Sequence, residues 1–129
     1  MLEIVPFSDE HLDGVLALCE AEGWTSLNED PDRAARVLRA PGSLALVAVD
    51  EGAVAGFAHV LSDGELHGYL CRLVVAEAAR RRGVARALVE TAFARSGALR
   101  LDLLAAEGSE RFYESFPHRG WPGYRIYPG

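Results

Sequence analysis

Apolar and polar residues alternate along Leu2–Pro6, the period of two that predicts a short strand, and beyond Phe7 the period lengthens. Leu12, Val15, Leu16 and Cys19 recur at helical spacing, with Ser8 placed to cap the helix and Phe7 placed to pack on Leu12. The loop Glu22-Gly23-Trp24-Thr25-Ser26 interrupts it. A second helix is predicted from Asp30 as cap and Pro31 at the first helical position, through Ala34, Val37 and Leu38, to a stop at Pro41-Gly42. Apolar runs at 43–49 and 53–61 flank Asp50-Glu51-Gly52, which reads as a hairpin turn. Ser62-Asp63-Gly64 is a further turn, so residues 65–75 continue an antiparallel meander. Helical spacing returns at 84–94 and is closed by Ser96-Gly97, where glycine suits the left-handed position past a helix end. Leu99, Leu101 and Leu103 alternate with Arg100 and Asp102, which predicts a strand parallel to 65–75 through a helical crossover. A short helix at 110–116 and a terminal strand at 124–127 complete an α/β pattern.

At 129 residues the chain fits one domain spanning 1–129, since two cores would each be small. Half of its residues are hydrophobic and a quarter are charged, the composition of an ordinary globular protein. Met1-Leu2-Glu3-Ile4 shows no basic region followed by an apolar run, and no window approaches the ~18 apolar residues that span a bilayer. The expected location is therefore cytoplasmic, with no membrane partner. Cys19 and Cys71 lack CxxC spacing and the histidines lack HxH or HxxxH spacing, so no metal site is predicted.

Charge changes the picture more than composition does. All 13 basic residues are arginine, which excludes a Schiff-base lysine and a Walker A lysine together. The net charge of -6 divides unevenly: residues 1–71 carry 13 acidic side chains and 3 arginines, residues 72–129 carry 6 and 10. A phosphate-rich ligand favours the second half, and a cationic one the first.

Arg80-Arg81-Arg82-Gly83-Val84-Ala85 lies between the strand that ends at Val75 and the helix that begins behind Gly83. A helix N-terminus exposes unpaired N–H groups and partial positive charge, and Gly83 with Ala85 leaves room for phosphate oxygens. A GxGxxG fingerprint is absent. An acidic chain without a basic stripe interleaved with aromatics argues against nucleic acid as a partner. The competing account is a solvated basic turn with Gly83 as a loop residue; the strand–turn–helix order and the alternating strand that follows favour an anion loop in a βαβ unit.

Leu73-Val74-Val75, Arg80-x-x-Gly83-x-Ala85 and the helix Arg86-Ala87-Leu88-Val89 resemble the coenzyme A motif of the GCN5-related N-acetyltransferase (GNAT) family, Q/R-x-x-G-x-G/A. The order of elements is similar to that family over nearly the whole chain. The resemblance implies a single-domain GNAT-type fold: a central mixed, mostly antiparallel sheet with a parallel splayed pair and flanking helices. It implies acetyl-CoA as co-substrate, with backbone groups of Leu73, Val74 and Val75 on the pantetheine arm. Arg80 opens the motif, and amides of Arg81, Arg82, Gly83, Val84, Ala85 and Arg86 would hold the pyrophosphate.

Ser109-Glu110-Arg111-Phe112-Tyr113-Glu114 is similar to the family's A-x-x-F-Y-E helix, which makes Tyr113 the candidate general acid. A phenol of reference pKa about 10 stays protonated at neutral pH and can donate to a departing thiolate. Core packing with one polar tip is the alternative for Phe112-Tyr113. The resemblance further implies a proton acceptor on the bulged strand, and Glu65 and His67, two apart on 65–75, are both candidates. The wall of the acceptor pocket would include Glu20, Glu22, Trp24 and Ser26, a set that suits a cation. Cys71, in an apolar strand, reads as an inert thiol rather than a nucleophile. The implied activity is N-acetyl transfer to a primary amine of a small molecule, by direct attack in a ternary complex. The sequence departs from the family pattern at Ala106 and at Pro117-His118, where Asn and Gly-Phe are usual, so a non-catalytic acyl-CoA sensor or interaction module on the same fold is the rival. A homodimer is the commonest assembly of soluble oligomers and the one to be tested.

Overall fold

A computed structural model describes every residue, Met1–Gly129, and its elements follow the hydrophobic pattern. Strand β1 (Leu2–Pro6) leads through a 3-10 turn at Asp9–His11 into helix α1 (Leu12–Ala21). Ser8 initiates that turn rather than α1 itself: its N–H donates to His11 Nδ1 at 3.0 Å, and its carbonyl accepts the His11 N–H at 2.9 Å. Helix α2 (Pro31–Arg39) begins as predicted, with Asp30 Oδ1 accepting the Arg33 N–H at 3.1 Å. Strands β2 (Ser43–Asp50), β3 (Ala53–Ser62) and β4 (His67–Val75) form the meander, helix α3 (Val84–Ser96) crosses over, and β5 (Arg100–Asp102) and α4 (Glu110–Glu114) follow.

The five strands lie in sequence order, antiparallel from β1 to β4, with β5 parallel to β4. Alternation puts one set of side chains on each face. Leu46, Ala58, Val60 and Leu70 pack beneath Val84, Leu88 and Ala92 of α3. Val47, Phe57 and Val74 pack beneath Val15, Leu18 and Cys19 of α1 and Ala34 and Leu38 of α2. Phe57, Leu46 and Leu88 are fully buried. Each such side chain contributes about 1.5–3 kcal/mol relative to exposure, so both helical layers are held by burial rather than by helix propensity.

Two features of β4 position the candidate site. Leu70 pairs with Val60 and Arg72 with His59, leaving Cys71 as an extra residue, a bulge. On its other edge β4 pairs with β5 only at His67, Gly68 and Tyr69, opposite Arg100, Leu101 and Asp102. From Leu70 onward that edge is open, so the parallel pair splays.

Beyond the start of α1, three further elements differ from the sequence-based expectation. β4 starts at His67, not at 65, because the Asp63 carboxylate collects the N–H groups of Glu65, Leu66 and His67 at 2.8–3.0 Å and curls the chain into a turn. Glu65 is thus an exposed turn residue and does not share a strand face with His67. The helix predicted at 110–116 closes at Glu114. The expected strand at 124–127 is absent: Pro122 and Pro128 bracket it and can donate no ladder hydrogen bond, and Trp121, Tyr124, Ile126 and Tyr127 stay largely exposed.

Candidate active site

After Val75 the chain makes a 3-10 turn at Glu77–Ala79, buries Ala79, and then enters left-handed space twice, at Arg81 (φ 64°) and Gly83 (φ 77°). Arg81 carries a strain of roughly 1 kcal/mol that glycine avoids. In return the N–H groups of residues 81–86 are released together: none donates a hydrogen bond within the protein, and the first bond into α3 is Ala87 N–H to the Gly83 carbonyl at 3.1 Å. A Cβ at Gly83 would meet nothing within 4 Å. The result is an open row of backbone donors at the positive end of a 13-residue helix, a geometry that binds anions.

The arginine side chains do not converge on this row. Arg80 turns back, its Nε donating to the Val75 carbonyl at 3.1 Å and its Nη2 to Glu22 Oε1 at 3.0 Å. Arg82 pairs with Asp50 at 3.2 Å. Arg86 donates to Ser115 Oγ at 2.6 Å and covers the Phe116 ring at 4.0 Å, docking the end of α4 on α3. Arg81 alone has no partner, so what this row offers to an anion is backbone N–H groups and one free guanidinium. Side chains of Leu73 and Val75 join the α3-side core and Val74 the opposite one, while the edge of β4 that these residues share is the open one.

Tyr113 and Phe112 pack against the cluster that also holds Leu73 and Leu103, and their rings meet edge-on at 5.0 Å. Burial raises the Tyr113 pKa, which keeps the phenol protonated, and its hydroxyl makes no hydrogen bond within the protein. A half-buried donor without an acceptor can be satisfied by water or by a ligand atom.

His67 is exposed at the first position of β4, with Nδ1 3.0 Å from Asp63 Oδ2. Asp63 holds its charge firmly: the N–H groups of Leu66 and Glu65, then the His67 ring, draw its carboxyl well below the usual range. This leaves His67 Nε2 as the free ring nitrogen. Strand alternation puts His67 and Tyr69 on the α1/α2 face, and the bulge returns Arg72 to it.

On that face the α1–α2 loop is tied to β4 and to the anion loop. Arg72 Nη2 donates to Ser26 Oγ at 2.8 Å, and Arg80 holds Glu22. Glu20 and Trp24 line a shallow cavity of about 330 Å³ with Gly23, Thr25 and Asn28. His59, opposite Arg72, is buried; its Nε2 lies 2.6 Å from Ser43 Oγ while its Nδ1 has no partner. Burial, then the nearby Arg72 charge, lowers its pKa to about 4, so it is neutral at pH 7. Cys71 is half-buried and burial raises its pKa, in keeping with an unreactive thiol. Sequence reasoning passes over Arg72, Asp63 and His59. The first is visible as a charge within an apolar strand; the other two become notable only through their tertiary partners.

A sequence model of the acetyltransferase (GNAT) family matches residues 10–116. No functionally curated protein matches the chain at a significant level. Among solved structures, a ribosomal-protein-alanine N-acetyltransferase from Brucella melitensis biovar Abortus 2308 is 20% identical with a TM-score of 0.79, over 98% of each chain. A GNAT-family acetyltransferase from Streptococcus pneumoniae TIGR4 is 24% identical with a TM-score of 0.72, over 97% of this chain and 98% of that one. AAC(6')-Iy, solved with the bisubstrate analogue CoA-S-monomethyl-acetylneamine, is 18% identical with a TM-score of 0.76, over 100% and 98% of the two chains. At these identities the likeness establishes a shared fold.

Proposed function

Because the chain belongs to the GNAT acetyltransferase family, we propose that it transfers the acetyl group of acetyl-CoA to a primary amine of a small molecule by direct attack within a ternary complex. The observation that carries this reading is the row of free N–H groups at residues 81–86, opened by the left-handed Arg81 and Gly83. It fits a pyrophosphate, whose charge needs several donors at once and whose oxygens need the space a Cβ at Gly83 would fill. The open edge of β4 beyond Tyr69 leads from that row into the splay, a path suited to an extended pantetheine arm with unpaired amides of its own.

The bound thioester supplies the acetyl carbon: the amine nitrogen attacks it, a C–N bond forms, and the C–S bond breaks. His67 Nε2 takes the amine proton, with Asp63 steadying the imidazolium that results. Tyr113 gives its proton to the departing sulfur, for which its protonated, unpartnered hydroxyl is suited. Glu65, outside the strand, has no part in this scheme. Acetyl transfer to small-molecule amines accords with neighbours named as aminoglycoside acetyltransferases.

The test has two arms. Coenzyme A should raise the melting temperature, since a ligand that binds only the folded state stabilises it. Thiol release from acetyl-CoA should require an amine from a panel of small acceptors. Stabilisation without release under any amine would instead support a non-catalytic acyl-CoA module on this fold.

A further inference from the structure

Two opposite charges stand at the C-terminal end of α1 without pairing with each other. Glu22 caps that helix, and Arg72 rises from β4 just past the bulge and reaches Ser26, four residues further along the same loop. Of the five N–H donors of a guanidinium, Arg72 uses one, and no carboxylate lies within 4.0 Å of it. It stands opposite His59 in the β3–β4 register and directly follows the bulged Cys71. Glu22 gives one oxygen to Arg80 and keeps the other. Both charges bear on the buried Cys19 thiol: its pKa is raised by burial, Arg72 opposes that rise and Glu22 adds to it.

An arginine and a glutamate that both reach the same loop could pair if each were free to turn to the other. Here each is tied back by a different neighbour. Arg80, itself anchored on the Val75 carbonyl, holds Glu22, and Ser26 holds Arg72. The loop therefore presents a positive fork and a negative oxygen held apart on the α1/α2 face, beside the bulge.

We infer that the acceptor is a zwitterion, an amine that also bears a carboxylate, such as a free α-amino acid. Its carboxylate takes the unused fork of Arg72 together with the Ser26 hydroxyl, and its ammonium is drawn to the free oxygen of Glu22 before it loses a proton. This rests on the acetyl-transfer reading and narrows it. It also qualifies the acidic loop as a pocket for a plain cation, since Arg72 supplies the opposite sign.

The experiment compares kcat/KM for free L-amino acids with that for the matching α-amino amides, in thiol-release assays with acetyl-CoA. The wild-type protein should favour the acids by about tenfold or more, the size of a charge-assisted bidentate contact. Arg72→Gln should bring the two classes to within about twofold, whereas the coenzyme A stabilisation of Arg72→Gln should match the wild type, since Arg72 lies outside the anion loop. Should Arg72→Gln not fold, Arg72→Lys, which keeps the charge without the fork, should show a reduced preference. Equal use of acids and amides by the wild type, or a preference that survives Arg72→Gln, overturns the inference and leaves acetyl transfer standing. Release with none of the amines overturns acetyl transfer and this inference with it.

Discussion

Gly83→Ala separates a ligand contact from a folding defect, because the structure contains its own control. Gly83 has φ 77° and open space where a Cβ would sit; Gly52, in the β2–β3 hairpin, has φ 83° and the same openness. An alanine at either position meets only left-handed strain, on the order of 1 kcal/mol. For a chain of this length that lowers the melting temperature by about 3–6 °C, equally in both variants. A methyl group at residue 83, however, stands within the row of free N–H groups at residues 81–86, where it should keep a pyrophosphate oxygen from close approach to the backbone. Losing one or two charge-assisted hydrogen bonds costs about 1.5–3 kcal/mol each, or roughly 10–150-fold in Kd for the first. Titration calorimetry with coenzyme A should therefore find Gly52→Ala at the wild-type Kd and Gly83→Ala weaker by at least tenfold. If both variants bind within twofold of the wild type, the donor row does not hold the cofactor.

Tyr113→Phe keeps the ring packing and removes the proton, so kcat should fall by about a hundredfold or more with the KM for acetyl-CoA nearly unchanged; an unaltered kcat in steady-state assays removes Tyr113 from the mechanism. His67→Gln should lower kcat by a similar factor of about a hundred and Asp63→Asn by less; wild-type turnover in His67→Gln assigns the proton to another acceptor. His59 sets a pH dependence of stability. Its pKa is about 4 folded against 6.5 unfolded, so the unfolded chain binds the extra proton and stability falls as pH drops from 6.5 towards 4. Between pH 7 and pH 5 this amounts to about 2 kcal/mol, visible in urea melts, and His59→Gln should flatten that slope; an unchanged slope in the variant would show that other groups carry it.

Local chemistry made most of the framework readable. Asp30-Pro31 started α2, Gly97 stopped α3, and apolar runs on either side of Asp50-Glu51-Gly52 drew β2 and β3, because caps, left-handed glycines and hairpin turns are decided within a few residues of chain. The strand–turn–helix frame of residues 75–86 was legible for the same reason: a strand, an arginine-rich turn and a helix start are contiguous in sequence. What the arginines do was not legible. Sequence treated the run Arg80–Arg82 as charge for a phosphate, whereas folding gives Arg80 to Glu22 and Arg82 to Asp50, partners 58 and 32 residues away. The beginning of β4 likewise depended on a contest between strand pairing and the Asp63 carboxylate, which captured Glu65 for a turn. The expected last strand failed although β4 leaves an edge open, because Pro122 and Pro128 flank it and its side chains find no core to bury in. Arg72 shows the same limit most plainly: its residue type stands in the sequence, but a guanidinium that meets Ser26 and no carboxylate exists only once β4 and the loop after α1 have been packed together. Pairing between distant charges is a property of tertiary geometry, which is why the proposed acceptor side could be argued only from the folded chain.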